Sequence, residues 1–300
     1  MSLEFAWLRD TGVRHTDVQE IRLHRAAPCN VLLFHGLTGA PIELAYIAHH
    51  LHARSRLSVD CPALVNHGQP IVLLAHTSWH ELCDSARSLF LQAQQQAASD
   101  GVPLFVGGLS IGAVLALMVA AEFPDKVAGV ACLSPTFFFD GWSVPWYQRL
   151  LALANHLPLM HNLYVRTGEP YGLKDEALRA KMRDKYQAVC LTKIEHPQGT
   201  YAHFPVALLC EMRHLIAHCK RMLPRVRSPV LVVQSAQDDT SSPVNARYVL
   251  DHVGSARKEL LTLHNSYHIV TADLERAKVA DAMAEFFLDI VGTKAPRAQA

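Results

Sequence analysis

The chain has 300 residues, half of them hydrophobic and 18% charged, enough to bury the core of one large α/β domain or two small ones. Its 28 basic and 27 acidic side chains nearly cancel, which argues against a nucleic acid or a strongly anionic surface as partner. The 7 cysteines are odd in number and scattered with no C-x-x-C pair, so they exclude a disulfide framework and suit buried free thiols in a reducing compartment.

Residues 1–27 carry acids and arginines without an apolar run of signal-peptide length and read as an irregular or β lead-in. Asn30–Phe34 is a short apolar strand that ends in His35-Gly36-Leu37-Thr38-Gly39-Ala40-Pro41, before a helix over Ile42–Ala53. A strand stopping in a Gly-rich loop beside a helix is suited to an anion. Leu57–Cys61 is a second strand, running into a polar loop with His67 and Gly68. Thr77–Ala98 has helical periodicity, with Trp79, Leu82, Ala86 and Leu89 on one face.

The next stretch organises the chain. The apolar run Leu104-Phe105-Val106 meets Gly107, then Gly108-Leu109-Ser110-Ile111-Gly112, then a long helical segment rich in Ala and Leu. Strand, tight turn, Ser at the apex and helix are the context of a G-x-S-x-G nucleophile elbow. Neighbours two residues either side of the serine crowd each other there, so both must lack a Cβ. The helix N-terminus favours a negative charge developing at the same spot. In such an elbow hydrolase one oxyanion donor is the N–H after the nucleophile, here Ile111. The other comes from the first strand–helix loop, assigned to Leu37.

Val127–Leu133 is a buried strand. The alternation then breaks over Ser134–Pro205, which holds Phe137-Phe138-Phe139, Trp142, Trp146, Tyr147 and several prolines. This stretch is expected to be a cap of short helices over the sheet; its aromatics are candidates to line an acyl pocket, though packing in a small core of the cap suits any one of them better. The division is thus residues 1–134 and 206–293 for the core, 135–205 for the cap and 294–300 for a polar tail. Pro205–Met222 is a helix with His214 and His218 on one face. They lack a partner at metal-ligand spacing, so no metal is expected. Pro229–Gln234 is a strand followed by a loop with Asp238 and Asp239, and a helix over Val244–Val253 comes next. Lys258–Leu263 is a strand, followed by a loop with His264 and His268 and a last helix, Ala272–Val291. The longest wholly apolar run, Ala113–Ala121, is too short to span a bilayer, so a cytoplasmic protein is expected.

Repeated strand–helix units imply an α/β fold, a mostly parallel sheet with helices on both faces, and reactive groups gathered at the carboxyl ends of the strands. Ser110, Asp238 and His268 each follow a strand, in the order Ser, Asp, His. His268 would take the proton of Ser110, and an acid would hold its imidazole in the right tautomer. Asp238 lies nearer its strand end than Asp239 and is favoured as that acid. His264 directly follows its strand, whereas His268 lies in the loop, where a mobile base can reach across to the serine.

Four stretches carry a family resemblance: HGLTGAP (His35–Pro41), GLSIG (Gly108–Gly112), QDDTSSP (Gln237–Pro243) and NSYHIVTAD (Asn265–Asp273). Over roughly residues 28–291 the chain resembles α/β-hydrolases of the bacterial carboxylesterase and monoacylglycerol lipase group. The resemblance implies the α/β-hydrolase fold with a small cap, and the acid five residues before the proline, Asp238. It also implies oxyanion donors at Leu37 and Ile111. The implied activity is hydrolysis of short- to medium-chain carboxylic esters, monoacylglycerols among them, without a cofactor. Thioester hydrolysis or acyl transfer would use the same triad, and a binding module would keep the fold without the chemistry. The oligomeric state stays open, a homodimer included.

Overall fold

A computed structural model describes residues 20–145, 163–192, 201 and 203–292. Seven strands form one sheet: β1 (Glu20–Leu23), β2 (Asn30–Phe34), β3 (Ser58–Pro62), β4 (Leu104–Leu109), β5 (Gly129–Leu133), β8 (Val230–Ser235) and β9 (Lys258–Leu263). A separate antiparallel pair joins β6 (Tyr164–Arg166) to β7 (His203–Pro205). The large sheet runs β1-β3-β2-β4-β5-β8-β9, with β1 antiparallel to β3 and every other pairing parallel. From β2 the chain steps outward to β3, then returns to the far side of β2 as β4. The order therefore reverses between β2 and β4, the place where a crevice opens at the carboxyl ends of parallel strands.

The central strands are mostly apolar runs, polar only at their ends in β2 and β8, because both faces are covered. In β2, Leu32 and Phe34 enter one core while Val31 and Leu33 enter the other. In β8, Val230 and Val232 are parted from Leu231 and Val233 in the same way. The first core is closed by α3 (Trp79–Asp100), α4 (Ile111–Glu122), α6 (Val206–Met222) and α7 (Val244–His252), the second by α1 (Ala45–Ser55) and α8 (Arg276–Val291). Every residue of α4 from Ile111 to Ala121 is buried, as a helix apolar all round must be.

Several expected boundaries move. The helix expected from Ile42 begins as a 3-10 turn over Pro41–Leu44 before α1, with Pro41 fixing its first turn. The last helix starts at Arg276 rather than Ala272. Glu275 directly before it sends its carboxylate back to the Asn265 N–H (2.7 Å) instead of continuing the helix. The stretch 135–205 holds a helix of 17 residues, α5 (Glu176–Thr192), longer than the short helices expected there. The phenylalanine trio packs into the first core of the sheet. Phe137 is buried in the first core, and Phe138 and Phe139 pack against it. The Asn245 side chain accepts the N–H groups of Phe137 (2.8 Å) and Phe138 (2.7 Å), fastening the trio to α7. Trp146, Tyr147, most of the N-terminal lead-in and the polar tail lie outside the described residues.

Candidate active site

Ser110 caps α4 with φ +58° and ψ −116°, a backbone state that side chains rarely adopt. The turn is as tight as the elbow requires. A Cβ on Gly108 would run into the Gly112 backbone, and one on Gly112 into the Phe34 carbonyl. The Ser110 N–H is held by the Leu133 carbonyl (2.8 Å), which ties the apex to the end of β5. Thr136 was not singled out from sequence, where nothing but its place three residues past β5 marks it. It donates to the Ser134 carbonyl (3.2 Å), and its oxygen lies 3.0 Å from Ser110 Oγ. That is the hydrogen bond the Ser110 hydroxyl makes; among the described residues none joins Ser110 to an imidazole. Such bonds are often loose before substrate binds.

Of the two candidate histidines, His264 is exposed and His268 is buried. His268 Nδ1 stands 3.0 Å from both carboxylate oxygens of Asp238, and 3.3 Å from Ser241 Oγ. An ionised carboxylate only accepts, so Nδ1 carries the proton and Nε2 is left as the basic nitrogen. Asp238 is saturated with donors: Gln234 Nε2 (2.8 Å) and the N–H groups of Thr240 (2.9 Å) and Ser241 (2.8 Å). Burial disfavours the charged imidazole, but the Asp238 carboxylate, with help from Asp239 and Glu43, outweighs it and raises the pKa of His268 above its ordinary value. Asp239 meets the backbone of His268, not its ring. His268 is buried, and its loop packs against the segment that leads into α5 through the Ile269 N–H and the Gly172 carbonyl (2.8 Å).

The turn after β2 faces the elbow: a Cβ on Gly36 would lie 3.8 Å from Ser110 Cβ. Two histidines shape this turn. His35 Nδ1 donates to the Gly36 carbonyl (2.9 Å) while its Nε2 accepts the Leu64 N–H (3.0 Å), which fixes the neutral tautomer. Burial, then the neighbouring His67, keep its pKa well below the ordinary value. The Gly36 carbonyl belongs to the same peptide unit as the Leu37 N–H, so this bond sets the direction in which that N–H points. His67 Nε2 lies 2.6 Å from the next carbonyl, that of Leu37. Ile111 opens α4, where N–H groups lack intrahelical partners.

Elsewhere, His218 lies beside the Trp79 ring (5.1 Å between centroids) and His214 leans toward Glu211 (3.9 Å). Among the described residues no group of three His, Cys, Asp or Glu is placed to hold a metal. Six described cysteines are free and buried. None of the described helices is long and apolar enough to cross a membrane.

A mostly parallel sheet clothed on both faces, with a strained serine turn between its central strand and a buried helix, defines an α/β-hydrolase. The chain belongs to the serine aminopeptidase S33 family of hydrolases, whose model matches residues 29–275. It is 25% identical over 268 residues to the thermostable monoacylglycerol lipase of Bacillus sp. (strain H-257), covering 88% of this chain and 92% of that one. It is 24% identical over 260 residues to a carboxylesterase of Bacillus subtilis (strain 168), covering 85% and 91%. The fold matches a structure from work on the metagenome-derived lipolytic enzymes LipS and LipT, with TM-score 0.74, 24% identity and coverage of 91% and 98%. It also matches a soluble variant of monoglyceride lipase from Saccharomyces cerevisiae, with TM-score 0.73, 16% identity and coverage of 88% and 87%.

Proposed function

We propose that the protein is a serine esterase that cleaves short- to medium-chain carboxylic esters, monoacylglycerols among them. Ser110 Oγ attacks the ester carbonyl as His268 Nε2 takes its proton. Asp238 holds the ring and stabilises the imidazolium. The Leu37 and Ile111 N–H groups receive the negative oxygen, each worth a few kcal/mol of the barrier, on the order of ~3. The alcohol leaves with the proton from His268. Water, deprotonated by the same nitrogen, then releases the acid and frees Ser110. The chemistry uses only protein groups and water.

The observation that carries this reading is the Asp238–His268 pair, 3.0 Å apart and buried at the same sheet edge as the strained Ser110 turn. The relatives named monoacylglycerol lipase and carboxylesterase support the ester class. Residues 135–205 are read as a cap, supported by the contact of the segment before α5 with the His268 loop. The buried free thiols support a reducing, cytoplasmic setting.

A panel of p-nitrophenyl esters of increasing chain length, with an aminoacyl p-nitroanilide alongside, tests the assignment. Hydrolysis should favour the esters, a fluorophosphonate should label Ser110, and Ser110→Ala should lose about 10⁴-fold or more in kcat while remaining folded. Undiminished ester hydrolysis by Ser110→Ala would overturn it.

A further inference from the structure

Two buried carboxylates take no part in the chemistry above, yet both are spent on the backbone around His268. Three consecutive N–H groups leave that stretch. Tyr267 donates to Asp273 Oδ2 (2.7 Å), His268 to Asp239 Oδ1 (3.2 Å), and Ile269 to the Gly172 carbonyl (2.8 Å). The same two carboxylates also receive the chain that leads into α5. Gly172 donates to Asp239 Oδ2 (3.2 Å), Lys174 to Asp273 Oδ2 (2.8 Å) and Asp175 to Asp273 Oδ1 (2.9 Å). Asp239 is 2% exposed and Asp273 0%, so these bonds are shielded from water. Gly172 has φ +73°, and a Cβ there would stand 2.8 Å from Ile269 Cγ1 and 3.3 Å from His268 Cβ. The two segments thus touch with no space for a side chain between them.

We propose that Asp239 is a positioning residue: it holds the main chain of His268 with one oxygen and the root of α5, through Gly172, with the other, so that the segment entering the cap forms part of the mount of the catalytic base. The proposal rests on the reading of His268 as general base. The physical argument is the number of acceptors. Two N–H groups arrive on two different oxygens, which an ionised carboxylate can satisfy and an amide cannot. An asparagine would turn an NH₂ toward one of the donors and leave it unmet in a buried place. Ring placement errors well under the width of an atom already slow proton transfer.

The test compares wild type with Asp239→Asn and Gly172→Ala, the second reaching the same contact from the other side. The carboxylates whose charge acts on His268 are Asp238 at its ring, and Asp239 and Glu43 at longer range, so removing one negative charge also lowers its affinity for a proton. Asp239→Asn should lose on the order of tenfold in kcat with KM within about twofold, and the acid limb of its kcat/KM profile should move to lower pH. Gly172→Ala should lose kcat in the same manner with the acid limb unmoved, since no charge is removed. A pH profile and kcat for Asp239→Asn that superimpose on wild type would overturn the proposal while leaving the esterase reading intact. Should wild type neither hydrolyse esters nor take a label at Ser110, that reading falls by itself. The mount is then read by amide exchange: faster exchange at Tyr267, His268 and Ile269 in Asp239→Asn supports it, and unchanged exchange overturns it.

Discussion

Ser110 is bent into its φ +58° turn by glycines that cannot be replaced, and the strain has a measurable side. A side chain in such a region costs about 1–3 kcal/mol, which glycine escapes. Ser110→Gly should therefore melt at a higher temperature than Ser110→Ala, both lacking the hydroxyl, and calorimetry of the two proteins checks it. Glu43 carries a different cost. Its carboxyl lies under the turn after β2 and fills the space where a Cβ on Gly39 would stand. Burial pushes its pKa from 4.5 up to about 7, against the pull of the Gly36 N–H, His268 and Lys185. Below about pH 4.5 the group is protonated in folded and unfolded chains alike. As pH rises the unfolded carboxyl ionises first, and stability falls until the folded one follows near 7. Glu43→Gln cannot ionise, so its stability relative to wild type should increase between about pH 4 and pH 8. Urea melts at both ends of that range check it: a difference that stays constant or shrinks as pH rises would show that the folded carboxyl is not held at a raised pKa. Glu43 could not be singled out from sequence, because only the folded turn brings it under the glycines.

Elements announced themselves to different degrees. Strands β2, β4, β5 and β8 were legible as apolar runs because both faces of the sheet are covered, and runs of that kind, bounded by Gly and Pro, have few other uses. β9 was found despite an open face, with Leu260 51% exposed. Helix α3 was placed two residues early; Ser78 sets its start. Its hydroxyl accepts the Glu81 N–H (3.3 Å) and the Glu81 carboxylate accepts the Ser78 N–H (2.8 Å), a reciprocal cap. Ser78→Ala should lose about 1 kcal/mol of stability with ester turnover unchanged, as compared by denaturant melts and kcat. The phenylalanine trio left two readings open for a physical reason. Three adjacent aromatics after a strand suit a pocket or a core, and they are tied into the core by Asn245, 107 and 108 positions away in the chain, which takes up the N–H groups of Phe137 and Phe138.

At the scale of the molecule, the reversal of strand order between β2 and β4 brings the His35–Pro41 turn and the serine elbow side by side. That much followed from motif order, since parallel strands deliver their ends to one edge. What local pattern could not show is how the loops at that edge share hydrogen-bond acceptors. In the sequence Asp239 stands only as a rival of Asp238 and Asp273 as an ordinary loop acid, while partners of both come from the stretch between β6 and α5. The buried cysteines reach through the same whole. Burial pushes the Cys29 and Cys83 thiols up to about 12, and raises Cys61 and Cys219 well above their usual range. A sulfur without its thiolate form is inert to disulfide reagents, so these sites become chemically visible only when the surrounding layers part. The sequence of sulfurs captured by a thiol reagent is then a record of the order in which the two sides of the sheet come undone.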